Sequence, residues 1–395
     1  MPRPAWLGLR LSLFYAGYFG MTGVFLPFWP VWLAGRGLDA WTISAAIALG
    51  MAARVALAPV IARAADRSGR RRRIMIVSAA LALAGQASFF AIDGAPAILA
   101  VSLLTGAALS AIMPLGDAVA MRHVGAGHVA YGPVRLWGSI AFVATSLLTG
   151  AMIAAFGSET VLGLVVASTA LILAACLLMP AGDGGGTGRS RGGGWRTFLR
   201  RDVLIVLPAA GLIQASHAVY YGFGSLNWQH EGLGDVAIGT LWALGVVAEI
   251  ILFALAAGLL RRLAPLRLLH IAALLATLRW LLMAGTSALP LLALGQALHA
   301  VSFGVTHLAV LHWLHARIPA HLAGTGQAIY NAFGNGIMLT LATLAAGPLY
   351  ASLGGYAYGA MAVLSTAGGL LLLGIGHQAR EREPATRPAG RATGG

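Results

Sequence analysis

Five charged side chains stand out inside long apolar stretches: Arg54, Asp117, Arg135, Glu249 and Arg279. Placing a charge at the centre of a lipid bilayer costs about 2.5–3.5 kcal/mol even on lenient insertion scales, so each needs a compensating reason. The chemistry available to them is of two kinds. A guanidinium binds a carboxylate through paired N–H donors, and a carboxyl beside a movable cation can take up and release a proton. A polar stripe, Gln296, His299, Ser302, Thr306 and His307, runs through another apolar stretch with His299 and Ser302 about a turn apart, a spacing that suits a proton relay.

Depth can be read from helical rise. Arg54 stands about twelve residues before Asp66, Glu249 as far before Arg261, and Arg279 as far after Arg267, so each lies roughly 18 Å from an arginine-rich loop. All three approach the bilayer midplane, where carriers built from repeats hold substrate and coupling ion. Asp117 and Arg135 flank one connection at similar distances, so a helical hairpin brings them to comparable depth and allows a direct pair. Glu249 and Arg279 form a second expected pair, because their helices are sequential neighbours.

The elements that must position these groups follow from composition. The chain of 395 residues is 58% hydrophobic and 10% charged, with a mean hydropathy of +0.81. Apolar stretches of about 20 residues recur about twelve times, and only helices satisfy that much backbone without water. The expected fold is all-α membrane, with twelve transmembrane helices. The formal charge of +14 comes entirely from arginine in excess over acids, and the arginines sort into every second connection. By the positive-inside rule both termini are cytoplasmic, in a bacterial inner (plasma) membrane, and the basic residues speak for topology rather than nucleic acid. The single cysteine, Cys176, excludes an intrachain disulfide. His307, His312, His315 and His321 raise the idea of a membrane metalloenzyme, but no HExxH or second cluster accompanies them, so neither metal nor cofactor is expected. With no nucleotide-binding loop, the energy source is an ion gradient.

A glycine-rich interval, AGDGGGTGRSRGGGWRTFLRR, divides the spans six and six. The boundaries expected are an N-terminal six-helix bundle at 1–180, a cytoplasmic linker at 181–201, a C-terminal six-helix bundle at 202–376 and a disordered cytoplasmic tail at 377–395. A shift of about half the chain carries the Asp66 to Arg73 loop onto Arg261 to Arg267 and FLPFWPVWL (Phe25 to Leu33) onto YYGFGSLNW (Tyr220 to Trp228), which suggests two pseudo-symmetric bundles.

The loop ADRSGRRRR between the second and third spans resembles the signature of the major facilitator superfamily, with Asp66, Arg67, Gly69, Arg70 and Arg71 matching and Ala62 in place of a leading glycine. That resemblance covers the whole chain and implies a conformational latch at Asp66, Gly69 and Arg70. The segments MPLGDA, YGPVRLWGS and ALHAVSFGVTH are similar to lactose permease and its relatives, and together with LGMAARVALAP and LGVVAE they look most like the phenylpropionate-permease branch. The resemblance implies that Asp117 and Arg135 bind substrate and that Arg279 and His299 serve proton coupling. The acid of that group's tenth span falls on Ser302, so Glu249 is the substitute.

The reading that follows is a proton-coupled symporter importing a small organic anion such as an aromatic carboxylate, acting as a monomer by alternating access. Arg135, Asp117 and Arg54 would bind it between aromatic walls that include Trp29, Tyr220 and Tyr221; Glu249, Arg279 and His299 would carry the proton. A sugar or nucleoside symporter and a proton-driven drug exporter are the alternatives, since a paired acid and arginine also hold hydroxyl groups.

Overall fold

The computed structural model describes residues 4–180 and 195–375, so most of the glycine-rich linker and the tail expected at 377–395 lie outside the described residues. The helices are α1 (Pro4–Gly35), α2 (Ala40–Ser68), α3 (Arg71–Ser88), α4 (Ala95–Leu109), α5 (Ile112–Gly125), α6 (Tyr131–Phe156), α7 (Thr160–Leu178), α8 (Arg201–Ala215), α9 (Ala218–His230) and α10 (Asp235–Arg262). They continue as α11 (Pro265–Ala284), α12 (Leu289–Ala297), α13 (Thr306–Arg317), α14 (Ala323–Tyr330), α15 (Leu339–Leu353) and α16 (Tyr358–Leu373). No strand occurs among the described residues.

Among the described residues ten helical runs are long and apolar enough to cross a membrane, fewer than the twelve expected from sequence. The difference has two local causes. The 18-residue α3 carries Arg71, Arg72 and Arg73 in its first turn, which dilutes its hydropathy. The run Ala323–Leu373 is continuous at 51 residues although the chain turns within it at Gly354 (φ 55°). Elsewhere two helices that share one span meet at a short irregularity, as where α8 gives way to α9 at Ser216 and His217.

Helices α1 to α7 pack on one another, chiefly α1 on α6 and α7, α2 on α4 and α3 on α7. Helices α8 to α16 do the same through α11 on α16, α8 on α16 and α11 on α13. The two groups meet where α6 lies on α10, α2 on α15 and α1 on α9. Their apolar cores fuse at one end only. One buried cluster, which includes Trp32, Phe142, Trp228 and Trp242, draws on both groups, whereas the clusters around Met75 and Leu115 and around Leu266 and Leu314 each stay within one. The halves are therefore closed together at the end away from the arginine loops and separate at the loop end.

Small residues make that closure possible. A Cβ at Gly239 would stand 2.5 Å from the carbonyl oxygen of Ser146, and one at Gly150 would stand 2.4 Å from that of Asp235, so α6 and α10 touch backbone to backbone. Across the other seam, Ser44 donates its hydroxyl to the Leu344 carbonyl at 3.3 Å. Gly239→Ala is expected to force α6 and α10 apart and shift the population toward a form open at this end. Pulsed electron–electron distances between spin labels at the exposed Phe156 and Tyr356 should lengthen, and an unchanged distribution would count against the seam acting as a gate.

The connection between α2 and α3 is a tight turn at Gly69, whose φ of 66° lies in the left-handed region that favours glycine. Asp66 accepts from Arg71 at 2.6 Å; Arg70 is exposed at the N-terminus of α3, while Arg72 donates to the Leu177 carbonyl near the end of α7. The bonds of Asp66 and Arg72 stay within their own half in this conformation. At the opposite end Arg36 pairs with Asp93 and lies 3.9 Å from Glu159. Nearby, Asp39 caps α2 by accepting from the Thr42 amide at 2.7 Å, which holds its carboxyl below the usual range.

Candidate functional site

A cavity of about 230 Å³ opens between the two groups of helices. Phe25 and Trp29 of α1 and Phe89 beyond α3 form an aromatic wall, with Trp29 stacked on Phe25 at 5.0 Å and edge-on to Phe89 at 5.1 Å. Tyr221 of α9 and Thr343 of α15 contribute from the other side of the seam. Among the described residues Arg54 of α2 is the single charged residue in the lining, and its buried Nε has no hydrogen-bond partner. A half-buried guanidinium with an unused donor, facing an aromatic cavity, is a binding group for a carboxylate.

A second assembly lies next to it in α8 to α13. Glu249 of α10 sits 2.9 Å from Nε2 of His299, and Nδ1 of His299 is 3.1 Å from Arg279 of α11. A guanidinium only donates, so Nδ1 must carry the lone pair and Nε2–H donates to the Glu249 carboxylate. Arg279 also donates to the Ser302 hydroxyl at 3.1 Å and to the Gly295 carbonyl at 2.7 Å. Its flat cation lies over the ring of Tyr220, 4.7 Å from its centre, and over that of Trp280, 4.2 Å from its centre. The π-helical turn Ala300–Val305 resets the register just after His299, and its Ser302 meets Arg279.

The chain of contacts extends to a residue the sequence reading did not single out. His217, at the break between α8 and α9, lies 3.1 Å through Nε2 from Ser302 and 3.1 Å through Nδ1 from the Gln214 carbonyl. Because a carbonyl accepts, Nδ1 holds the hydrogen and Nε2 is free to accept from Ser302. Tyr221 stacks on His217 with ring centres 5.6 Å apart, so this aromatic residue touches both the relay and the cavity. The only signal in the sequence was the polar group Gln214, Ser216 and His217 within an apolar run.

Several expected neighbours are arranged otherwise. Glu249 and Arg279 do not pair directly, because His299 stands between them. Asp117 and Arg135 share one cluster without a direct ion pair: Tyr15 donates its hydroxyl to Asp117, while the Arg135 guanidinium lies over Phe19 at 3.7 Å and near Tyr15 at 5.8 Å. Neither lines the cavity, and nor does Tyr220, whose hydroxyl donates to Gln296 at 2.8 Å inside the second half. Trp29, Arg54 and Tyr221 are the three expected binding residues that do line it. Arg135 stands on α6, which packs across the seam on α10, the helix that carries Glu249.

Arg279 is fully buried, so removing it strips a cation from acceptors arranged around it. Arg279→Gln is expected to destabilise the protein by about 3–5 kcal/mol, seen as a lowered melting temperature in detergent. Adding Glu249→Gln to it should restore part of that loss, since the uncompensated carboxylate goes too. Purely additive losses would show that the two charges do not interact through His299.

Comparison with known proteins bears on what such a cavity serves. A model of the MFS_1 like family matches residues 8–358. The chain belongs to this family, within the major facilitator superfamily. It is 36% identical over 358 residues, 90% of this chain and 94% of the relative, to the "Probable 3-phenylpropionic acid transporter" of Escherichia coli strain K12. It is 29% identical to the "Maltose permease" of Geobacillus stearothermophilus over 85% of this chain and 86% of that one. Among solved structures, the nucleoside transporter NupG superposes with a TM-score of 0.82 at 15% identity, covering 93% of this chain and 98% of that chain, a likeness of fold. This member of the family is a multi-pass membrane transporter and not an enzyme.

Proposed function

We propose that the protein imports a small aromatic carboxylate by proton-coupled symport with alternating access. The observation that supports this reading best is the cavity between the halves, aromatic on one side and carrying Arg54 as its single charge among the described residues. Arg54 holds the carboxylate, and Trp29 and Tyr221 enclose the ring. Relationship to a probable 3-phenylpropionic acid transporter supports the same class.

Proton coupling is assigned to Glu249, with His299 and Arg279 holding it. Glu249 is a midspan carboxyl whose hydrogen-bond donor, His299, is itself fixed by Arg279. Arg135, on the α6 helix that packs on α10, is assigned the part of a cation from the first half that attracts the Glu249 carboxylate while that seam holds. Protonation weakens that attraction and favours parting of the halves, so the proton and the conformational change are linked.

The chain is read as twelve crossings, with α3 and the two limbs of Ala323–Leu373 each counted as a span, forming six-helix bundles at 1–180 and 202–376 joined by the linker at 181–201. Both termini and the Asp66, Gly69 and Arg70 turn face the cytoplasm of a bacterial inner membrane, so the conformation described is open inward. The transporter works as a monomer. Thermal-shift screening of the detergent-solubilised protein against aryl acids, maltose and nucleosides at two pH values tests the substrate class. Stabilisation by an aryl acid supports the reading. Stabilisation by maltose or a nucleoside instead would replace it.

A further inference from the structure

The wall of the cavity formed by α3 and α4 is polar in a way that a plain hydrocarbon ring does not use. Gln86, Ser102 and Thr105 line it, are 1%, 8% and 6% exposed, and leave Nε2, Oγ and Oγ1 respectively without a hydrogen-bond partner. Hydroxyls on membrane helices ordinarily satisfy themselves on a carbonyl one turn back, as Thr145, Thr149 and Ser365 do here at 2.9, 2.7 and 3.1 Å. Ser102 and Thr105 do not. The Gln86 amide is held at its other end by Thr169, which leaves Nε2 as the free group. Three buried polar side chains without partners in one cavity carry a desolvation cost that a matching ligand group would relieve.

Resting on the aryl-carboxylate reading above, we infer that the preferred substrate carries a hydrogen-bonding substituent, a phenolic hydroxyl, on the ring remote from its carboxylate, and that Gln86, Ser102 and Thr105 read it. A phenolic oxygen can accept from Gln86 Nε2–H while its hydrogen goes to Ser102 or Thr105, whose hydroxyls both donate and accept. Arg54 and this trio then act as the two poles of one site, with Trp29 and Phe89 along the ring between them.

The test is equilibrium binding of 3-phenylpropanoate and its 2-, 3- and 4-hydroxyphenyl analogues to the purified full-length protein. At least one hydroxylated acid should bind about tenfold tighter than the unsubstituted one. In the double variant Ser102→Ala, Thr105→Val that advantage should vanish while affinity for 3-phenylpropanoate is kept, which also shows that the variant is folded. If all four acids bind the unmutated protein equally, or if the advantage survives in the double variant, the inference fails and the aryl-carboxylate reading stands. If none of the four binds while maltose or a nucleoside does, both fall together. Equal binding by the unmutated protein overturns the inference by itself, and should the double variant be unstable, Ser102→Ala alone, with the advantage reduced, takes its place.

Discussion

Replacing Arg54 by glutamine is expected to weaken binding of an aryl carboxylate by about 10- to 150-fold, the range given by losing a hydrogen bond to a charged group worth about 1.5–3 kcal/mol. The reason is local: among the described residues no other charged side chain lines the cavity to substitute for this guanidinium. Glutamine keeps a donor and much of the volume, which separates loss of charge from collapse of the site. Arg135→Gln is the informative control. Its guanidinium lies over Phe19 and outside the cavity, so binding should change little while pH-driven transport suffers. If binding were lost in the Arg135 variant and kept in the Arg54 variant, the carboxylate would have to sit beside Tyr15 instead. Equilibrium dialysis or calorimetry on the purified variants reads both outcomes.

Glu249→Gln is expected to abolish accumulation driven by a pH gradient while leaving exchange of substrate across the membrane intact. For one proton per substrate, each pH unit of gradient supports about tenfold accumulation, because a tenfold ratio corresponds to about 1.4 kcal/mol. Without a group that binds the proton, the accumulation ratio in proteoliposomes falls to about one. The amide oxygen of glutamine can still accept from Nε2–H of His299, so the 2.9 Å bond has a replacement and the fold should persist. Retained counterflow would confirm that the variant still binds substrate and changes conformation. Undiminished pH-driven accumulation would place the coupling group elsewhere.

How far the sequence reaches can be judged from the same residues. Arg54, Glu249 and Arg279 were recognisable as functional candidates because an ionisable group in a long apolar helix is costly wherever the helix happens to pack. Their depth was legible too, since rise per residue is fixed. Which way each side chain turns was not. Arg54 and Arg135 look equivalent as strings, yet only the first faces the cavity, because the packing of α2 against α4 and α15 sets the rotation of one helix and that of α6 against α1 and α10 the other. His217 escaped notice because its partner, Ser302, is distant in the chain and becomes a neighbour only through the break between α8 and α9.

The sequence by itself determined that this is an all-helical membrane protein of the major facilitator type with a sparse set of buried charges. Hydrophobic length, the cost of burying charge and the turn at Gly69 are local properties carried by consecutive residues. Only the tertiary structure decided that His299 separates Glu249 from Arg279, that Asp117 takes Tyr15 as its partner while Arg135 lies over Phe19, and that the halves close at one end through Gly150 and Gly239. Those relations depend on the angle of each helix about its own axis and on irregular turns such as Ala300–Val305, which arise from contacts between segments far apart in the chain.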